Sequence, residues 1–186
     1  MPPLPEFEVV LYPDPVLRKV AEPVASFDPA LAATVGAMFA RMRKSKGVGL
    51  AAPQVGLRQR ILVLNPTGEE QDDLALVNPT IVARAGERTL FDEGCLSFPG
   101  IYAEIQRPDR CTVRSQDLTG KTIEAEYSGF VSRIIQHEYD HLEGVLLVDR
   151  MSPAEKLKHK AALEELVARH RRAQSVQPAP QAARGE

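Results

Sequence analysis

Residues 130–144, which have the sequence FVSRIIQHEYDHLEG, carry the strongest signal in the chain. Four side chains in this stretch recur at helical spacing, three or four residues apart: Phe130, Ile134, His137 and His141. Gly144 is typical of the position just after a helix end. The pattern therefore predicts one helix that ends at about Leu142.

The same helix carries a metal-binding pattern. His137 and His141 lie one turn apart on one face, so their imidazoles can bind one metal ion. Glu138 lies beside His137, close enough to contact a water molecule at the metal without being a ligand. This H-E-x-x-H arrangement is typical of metallohydrolases in which the glutamate is the general base. The alternative is an ordinary helix with two histidines, because so short a pattern recurs by chance.

A catalytic metal site of this kind typically has a third protein ligand, and the sequence offers several candidates. The downstream candidates are Asp149, Glu155 and His159. Upstream, Cys95 follows a glycine, and a thiolate suits borderline and soft divalent metals. Cys95 could equally be a buried structural thiol, which is the interpretation that we keep for Cys111. A downstream ligand would indicate a zinc endopeptidase.

A segment rich in glycine and alanine lies further upstream, at residues 47–54, with the sequence GVGLAAPQ. Its small residues let the backbone approach a ligand closely, and Gln54 can donate a side-chain N–H to a developing oxyanion. The segment lacks the Gly-Lys-Ser/Thr ending of a phosphate loop. A tight turn into a strand is the structural alternative.

The remaining elements favour an α+β fold, because strands and helices do not alternate regularly. Asp28 and Pro29 begin a first helix that is expected to end at about Lys44. The predicted strands cover residues 61–64, 74–77, 80–83, 112–114 and 122–127, with a hairpin turn at 117–120. Asn-Pro pairs at 65–66 and 78–79 are expected to end the first two strands. Ser152 caps a last helix that is expected to end near His170.

Composition and charge indicate one soluble domain. The chain has 186 residues, 26% of them charged, and a formal net charge of −2, so it lacks the basic excess of a nucleic-acid-binding protein. No apolar run approaches the roughly 20 residues needed to cross a bilayer, and the N-terminus does not resemble a secretory signal. Two cysteines do not form a disulfide framework. We predict a single domain over residues 1–172 and a disordered tail over residues 173–186.

The three chemistry-bearing segments resemble, in this order, the signature motifs of the peptide deformylases. The family pattern is G-x-G-L-A-A-x-Q, then E-G-C-L-S, then Q-H-E-x-D-H. Residues 47–54, 93–97 and 136–141 match it at every position. The chain departs from the family at Phe98, where an aliphatic residue is more usual, and at Leu147, where phenylalanine is common.

The resemblance implies a role for each motif residue. The metal ligands would be Cys95, His137 and His141. Glu138 would be the general base and then the acid, while Gln54 and the backbone N–H of Leu96 would stabilise the oxyanion. The residues expected to bind substrate are Val48, Gly49, Leu50, Gly94 and Ile134. Glu93 and Arg107 are expected to pair behind the metal.

The resemblance also implies a fold, an activity and partners. The fold would be α+β, with small antiparallel sheets around the central metal-binding helix and a C-terminal helix packed outside. The activity would be removal of the N-formyl group from the N-terminal methionine of nascent polypeptides, with release of formate. One divalent metal is implied, natively Fe²⁺, with Zn²⁺, Ni²⁺ or Co²⁺ able to substitute.

The expected partners are formyl-methionyl peptides and nascent chains, with a ribosome contact through the C-terminal helix. No membrane and no sequence-specific nucleic acid are expected as partners. The expected location is the bacterial cytoplasm, ahead of an organelle of bacterial descent.

Two alternative functions remain open at the level of sequence. A zinc endopeptidase would use the same helix with a downstream ligand, and would keep its metal when Cys95 is substituted. A catalytically idle relative that binds peptides would have lost part of the constellation, whereas Glu138, Cys95 and Gln54 are all present. The lysines of the last helix could equally form a solvated face.

Overall fold

Residues 5–176, which the structure (a computed structural model) describes, form five strands and five α-helices. The helices are α1 (Pro29–Lys44), α2 (Gly129–Leu142), α3 (Leu147–Arg150), α4 (Pro153–Lys158) and α5 (Lys160–Val176). The strands are β1 (Gly49–Ala51), β2 (Ile61–Leu64), β3 (Leu74–Gly94), β4 (Tyr102–Gln116) and β5 (Thr122–Ser128). The predicted α+β class is therefore confirmed.

All five strands join in one antiparallel sheet, in the order β1-β2-β3-β4-β5, whereas the family resemblance implied small antiparallel sheets. The reason is the length of the two middle strands, since β3 has 21 residues and β4 has 15. β2 pairs with the first four residues of β3, and β5 pairs with the last seven of β4. The last residues of β3 and the first residues of β4 extend beyond β2 and β5. There they pair with each other close to α2.

The Asn78-Pro79 pair does not end a strand, contrary to the prediction. Asn78 has a φ of 50°, and the pairing of β3 with β4 shifts between Val77 and Thr80, so the pair forms a bulge inside β3. The Asn78 side chain bonds to both the N–H and the C=O of Val24, at 2.7 and 2.9 Å. This contact spans 54 residues, which is why local sequence did not reveal it.

α1 begins and ends as predicted. The Asp28 carboxylate accepts hydrogen bonds from the backbone N–H groups of Ala30 and Leu31, and Pro29 occupies the first turn. The buried face comprises Leu31, Val35, Ala37, Met38, Phe39 and Met42. It packs against apolar residues of β1 and β2, including Leu50 and Ile61.

α2 is the central helix of the molecule. Its residues 132–138 are all buried, and Ile134 and Ile135 share a core cluster with Leu62 and Leu64 of β2. The chain leaves α2 through Gly144, which has a φ of 69°. A Cβ atom there would lie 2.5 Å from the carbonyl oxygen of Arg18, so glycine is required for both reasons. α2 therefore carries the H-E-x-x-H pattern inside the protein.

The C-terminal segment differs from the single helix that was predicted. Ser152 accepts a hydrogen bond from the Glu155 N–H, as a helix cap should, but the helix is interrupted at His159, with φ −99° and ψ 7°. α5 then continues to Val176 and includes residues 173–176, which the sequence assigned to a disordered tail. The rest of that predicted tail, residues 177–186, lies outside the described residues. Within residues 5–176, every helix is too short or too polar to span a bilayer.

Candidate metal centre and active site

Three side chains from two distant parts of the chain converge at one point. Cys95 follows the end of β3, and His137 and His141 lie on α2. Their candidate ligand atoms all lie within 4.8 Å of one another, and Cys95 Sγ is 3.3 Å from His141 Nε2. Across residues 5–176 this is the one cluster of three or more Cys, His, Asp or Glu side chains with such spacing.

The downstream candidates for a third ligand lie elsewhere. Asp149 forms an ion pair with Arg18. Glu155 accepts a hydrogen bond from the Glu104 N–H at 3.1 Å. Nε2 of His159 lies 3.4 Å from Oε2 of the same glutamate. The zinc endopeptidase alternative therefore lacks the downstream ligand that it needs.

A buried carboxylate orients His137. Nδ1 of His137 lies 3.0 Å from Glu93 Oε2, and a carboxylate can only accept there. Nδ1 therefore carries the proton, and Nε2 keeps its lone pair for a metal. Burial by itself would raise the pKa of Glu93, but hydrogen bonds from His137 and Arg107, with the charge of Arg107, lower that pKa to about 2. Glu93 is therefore ionised at neutral pH.

Two arginines compensate the charge of Glu93. Arg107 donates from Nε to Oε1 at 2.7 Å and from Nη2 to Oε2 at 2.9 Å, so the predicted pairing of Glu93 with Arg107 is confirmed. Arg133 donates from Nη1 to Oε1 at 2.8 Å, and Arg107 also bonds to Asp140 at 2.8 Å. The sequence interpretation missed Arg133 and Asp140. One signal was available for Arg133, because it precedes His137 by one helical turn and so shares its face.

Glu138 is buried beside the three candidate ligands. Its Oε2 atom has no hydrogen-bond partner among the described residues. Burial raises the pKa of Glu138 to about 7, although the charges of His137 and Arg107 oppose this shift. A carboxyl group with a free oxygen and a pKa near neutrality can both accept and donate a proton at physiological pH.

Two hydrogen-bond donors lie near Cys95. The side-chain Nε2 of Gln54 is 3.5 Å from Cys95 Sγ and 3.3 Å from Ser97 Oγ. Its Oε1 accepts a hydrogen bond from the Ala51 N–H at 2.8 Å, which fixes the orientation of the amide. The backbone N–H of Leu96 donates to no acceptor within the described part of the chain. Both predicted oxyanion donors therefore adjoin the candidate ligands.

A cavity of about 480 Å³ opens beside these groups. Four of the five predicted substrate-binding residues line it: Val48, Gly49, Gly94 and Ile134. The fifth assignment, Leu50, needs correction, because Leu50 is fully buried in the core beneath α1. Side chains alternate along a strand, so Leu50 faces away from the side on which Gly49 meets the cavity. The lining also includes Phe91 and Tyr102, which the sequence did not single out.

The residues present fit a divalent metal ion. One thiolate and two imidazoles form a donor set that borderline divalent metals accept. The hydrogen bond to Glu93 leaves His137 Nε2 free to coordinate. Three protein ligands leave a position open for water or substrate, which distinguishes catalytic from structural sites.

Comparison of the sequence with known proteins identifies one family of relatives. The family model described as polypeptide deformylase matches residues 7–157. Peptide deformylase of Thermotoga neapolitana is 46% identical over 151 residues, which are 81% of this chain and 90% of that protein. Chloroplastic peptide deformylase 1B of Oryza sativa subsp. japonica is 45% identical over 150 residues, which are 80% of this chain and 56% of that protein. The chain thus spans about half the length of the plant relatives that it matches.

Comparison with solved structures also finds peptide deformylases. Peptide deformylase 1B of Arabidopsis thaliana, crystallised with an inhibitor, superposes with a TM-score of 0.87 at 43% identity, over 95% of this chain and 98% of that one. The residues matched by the family model, 7–157, include the whole sheet, α2 and the loop that bears Cys95. We conclude that the chain belongs to the peptide deformylase family.

Proposed function

We propose that this protein removes the N-formyl group from the N-terminal methionine of nascent polypeptides and releases formate. The observation that carries the proposal is the convergence of Cys95, His137 and His141 next to buried Glu138, one oxygen of which is unpaired within residues 5–176. The names of the relatives supply the reaction. We assign the activity to a single domain, residues 1–172.

The proposed metal ligands are Cys95 Sγ and one ring nitrogen from each of His137 and His141. A bound divalent ion supplies Lewis-acid chemistry, since it lowers the pKa of water and polarises a carbonyl group. We propose Fe²⁺ as the native ion, as the family resemblance implies, with Zn²⁺, Ni²⁺ or Co²⁺ able to substitute. Imidazole and thiolate ligands suit all four ions.

Glu138 is proposed to move the protons. It would accept a proton from the attacking water and then donate it to the amine that leaves. The pKa of about 7 supports both steps, because the carboxyl group can change its protonation state near neutral pH at little cost. Gln54 Nε2 and the Leu96 N–H would stabilise the negative charge that develops on the formyl oxygen.

The cavity supports a formyl-methionyl peptide as the substrate. Ile134 and Val48 give its lining an apolar part for the methionine side chain. β1 pairs with β2 along one edge, and the backbone at Gly49 adjoins the cavity, so an extended peptide can add to this edge as a further strand. A formyl carbon carries only hydrogen, so a confined space at the metal would exclude larger acyl groups.

Formate release tests the proposal directly. Protein purified without oxygen is assayed with formyl-Met-Ala-Ser, with the unformylated peptide as control and Glu138→Ala as the matched variant. We expect release by the wild type, and about 10²- to 10⁴-fold less by Glu138→Ala, with metal still bound in both. No release by the wild type, whether loaded with iron, nickel, cobalt or zinc, would contradict the proposed activity.

A ribosome contact through the C-terminal helix and a location in the bacterial cytoplasm are further proposals. Three arginines on α5, at positions 169, 171 and 172, are exposed; two of them, Arg169 and Arg172, pair with Glu165, and Arg171 is the one that supports an acidic partner such as ribosomal RNA. Co-sedimentation of the full chain with ribosomes, compared with Arg171→Glu, tests the contact. Charge reversal is preferable to removal of residues 152–186, because that removal would also delete Leu166 from the core. Equal sedimentation of both proteins would count against the contact.

A further inference from the structure

Arg133 is neither a candidate metal ligand nor the proposed base, yet it makes several buried contacts near the metal centre. From α2 its Nη1 donates to Glu93 Oε1 at 2.8 Å and to the carbonyl oxygen of Ile105 at 3.1 Å. Its Nη2 donates to the carbonyl oxygen and the hydroxyl of Thr89, at 2.9 and 2.8 Å. The guanidinium also lies over the ring of Phe91, 5.3 Å from the centroid. Arg133 is only 7% exposed, so these contacts hold a buried charge in one orientation.

The strand that Arg133 contacts leads directly to the candidate metal centre. Residues 88–94 of β3 pair with β4, and a shift in register between Ala85 and Arg88 precedes them. In the described part of the chain, β2 pairs with β3 only as far as Val77, so no second strand supports this segment. The hydrogen bonds from Arg133 to Thr89 tie the segment to α2 instead. Glu93 and Cys95 follow within six residues.

Arg133 also completes the hydrogen bonding of Glu93. Oε1 accepts from Arg107 Nε and Arg133 Nη1, and Oε2 accepts from Arg107 Nη2 and His137 Nδ1. Four donors therefore occupy the four acceptor positions of a carboxylate. Arg133 and His137 lie one turn apart on α2, so the helix holds the same carboxylate that orients its own histidine. Loss of Arg133 would remove one of the two hydrogen bonds to Glu93 Oε1 and release this connection.

We propose that Arg133 is a positioning residue for the metal centre. Its hydrogen bonds connect β3 to α2. This connection keeps the Glu93 carboxylate bonded to His137 Nδ1, and it keeps Cys95 beside the two histidines. The inference rests on the proposed metal site, and it assigns a task to a residue outside the three sequence motifs.

The test compares Arg133→Met and Arg133→Lys with a matched control, Arg60→Met. Arg60 donates to the Glu143 carboxylate at 2.7 Å and to the carbonyl oxygen of Pro79 at 3.0 Å, and lies over the Tyr139 ring at 5.5 Å. It thus has the same kinds of partner as Arg133, near the far end of α2. Its hydrogen bonds involve neither Glu93 nor the three candidate ligands.

Three quantities are measured on the metal-loaded full chain: the rate of metal release to a chelator, the visible spectrum of the cobalt form, and the denaturant midpoint. We expect Arg133→Met to release metal about tenfold faster than the wild type and to alter the cobalt spectrum. Arg133→Lys should be intermediate, because it keeps a charge but not the planar fork. Arg60→Met should lower the denaturant midpoint and leave release and spectrum unchanged.

Equal release rates for Arg133→Met and Arg60→Met would overturn the proposal. If Arg133→Met does not fold, the rate of metal release from Arg133→Lys tests the proposal instead. Release from Arg133→Lys at the wild-type rate would also overturn it. Formate release by the wild type, measured alongside, separates the two claims. An inactive wild type would overturn the proposed function, whereas the rates of metal release decide the role of Arg133.

Discussion

Glu138 has room beside the candidate ligands only because residue 49 is glycine. A Cβ atom at position 49 would overlap Glu138 Oε1 and lie 2.7 Å from Ile134 Cγ2. We predict that Gly49→Ala lowers kcat/KM for formyl-Met-Ala-Ser by about 10²-fold, because it displaces the proposed base by a fraction of an ångström or more. Steady-state kinetics with a parallel metal assay measure this effect.

Gly47→Ala is a useful comparison for that substitution. The added methyl group would meet mainly the end of the Leu96 side chain, at 2.8 Å, and that side chain can move. We expect a smaller loss than in Gly49→Ala. Similar kcat/KM values for Gly49→Ala and the wild type would contradict the tight fit at Glu138.

The two cysteines provide a second prediction about single side chains. Cys95 lies 3.3 Å from His141 Nε2, whereas Cys111 is buried in the core, and burial raises the pKa of its thiol. We predict that Cys95→Ser loses the bound metal and that Cys111→Ser retains it. Elemental analysis of the purified variants measures the metal content. Full metal occupancy in Cys95→Ser would contradict the assignment of Cys95 as a ligand and would favour the zinc endopeptidase alternative.

At the scale of elements, the C-terminal helices complete a core cluster. Leu166 of α5 is 6% exposed and shares that cluster with Phe98 and Leu146, whereas Leu157 of α4 is 75% exposed. We predict that Leu166→Ala lowers the free energy of unfolding by about 2–5 kcal/mol, and that Leu157→Ala changes it by less than about 0.5 kcal/mol. Urea denaturation measures both values. An equal effect of the two substitutions would show that α5 does not pack on the core in solution.

The helices were predicted from sequence more accurately than the strands. Asp28 caps α1 and Ser152 caps α4 through bonds within three residues, so a local pattern contains the whole signal. The extent of β3 depends instead on its pairing with β4 and on the contact of Asn78 with Val24. Such partners are remote in sequence, and a turn signal such as Asn78-Pro79 can then become a bulge within a longer strand.

At the scale of the whole molecule, a bound metal would link β3 to α2. Cys95 and His141 are 46 residues apart in sequence, so coordination joins two elements that the unfolded chain keeps separate. We predict that chelation lowers the midpoint of thermal unfolding. At a free metal concentration 100 times the Kd, binding contributes about 2.7 kcal/mol to the stability of the folded state.

Calorimetry with and without chelator measures this shift, with Cys95→Ser as the control. That variant lacks one ligand, so its midpoint should not respond to the chelator. An unchanged midpoint for the wild type would mean that the metal binds folded and unfolded chains alike, and would contradict a preformed site.

The residue pattern was sufficient to predict which side chains of α2 would face a bound metal ion. His137, Glu138 and His141 lie within five residues of one helix, and helix geometry sets their relative positions wherever the helix lies. The resemblance to a family rests on the residue types and the order of the three motifs, so it too could be stated before any contact was known. Local geometry is sufficient for such groups because no partner from another element is needed.

The remaining features of the site depend on contacts between distant parts of the chain. Among Cys95, Asp149, Glu155 and His159, the residue pattern left the third ligand open, and the packing of β3 against α2 brings only Cys95 to the two histidines. Packing of β1 beneath α1 buries Leu50 in the core. Packing of β3 against α2 brings Arg133 to Glu93. These outcomes depend on distances between elements far apart in the chain, and such distances are set only when the apolar faces of those elements pack together.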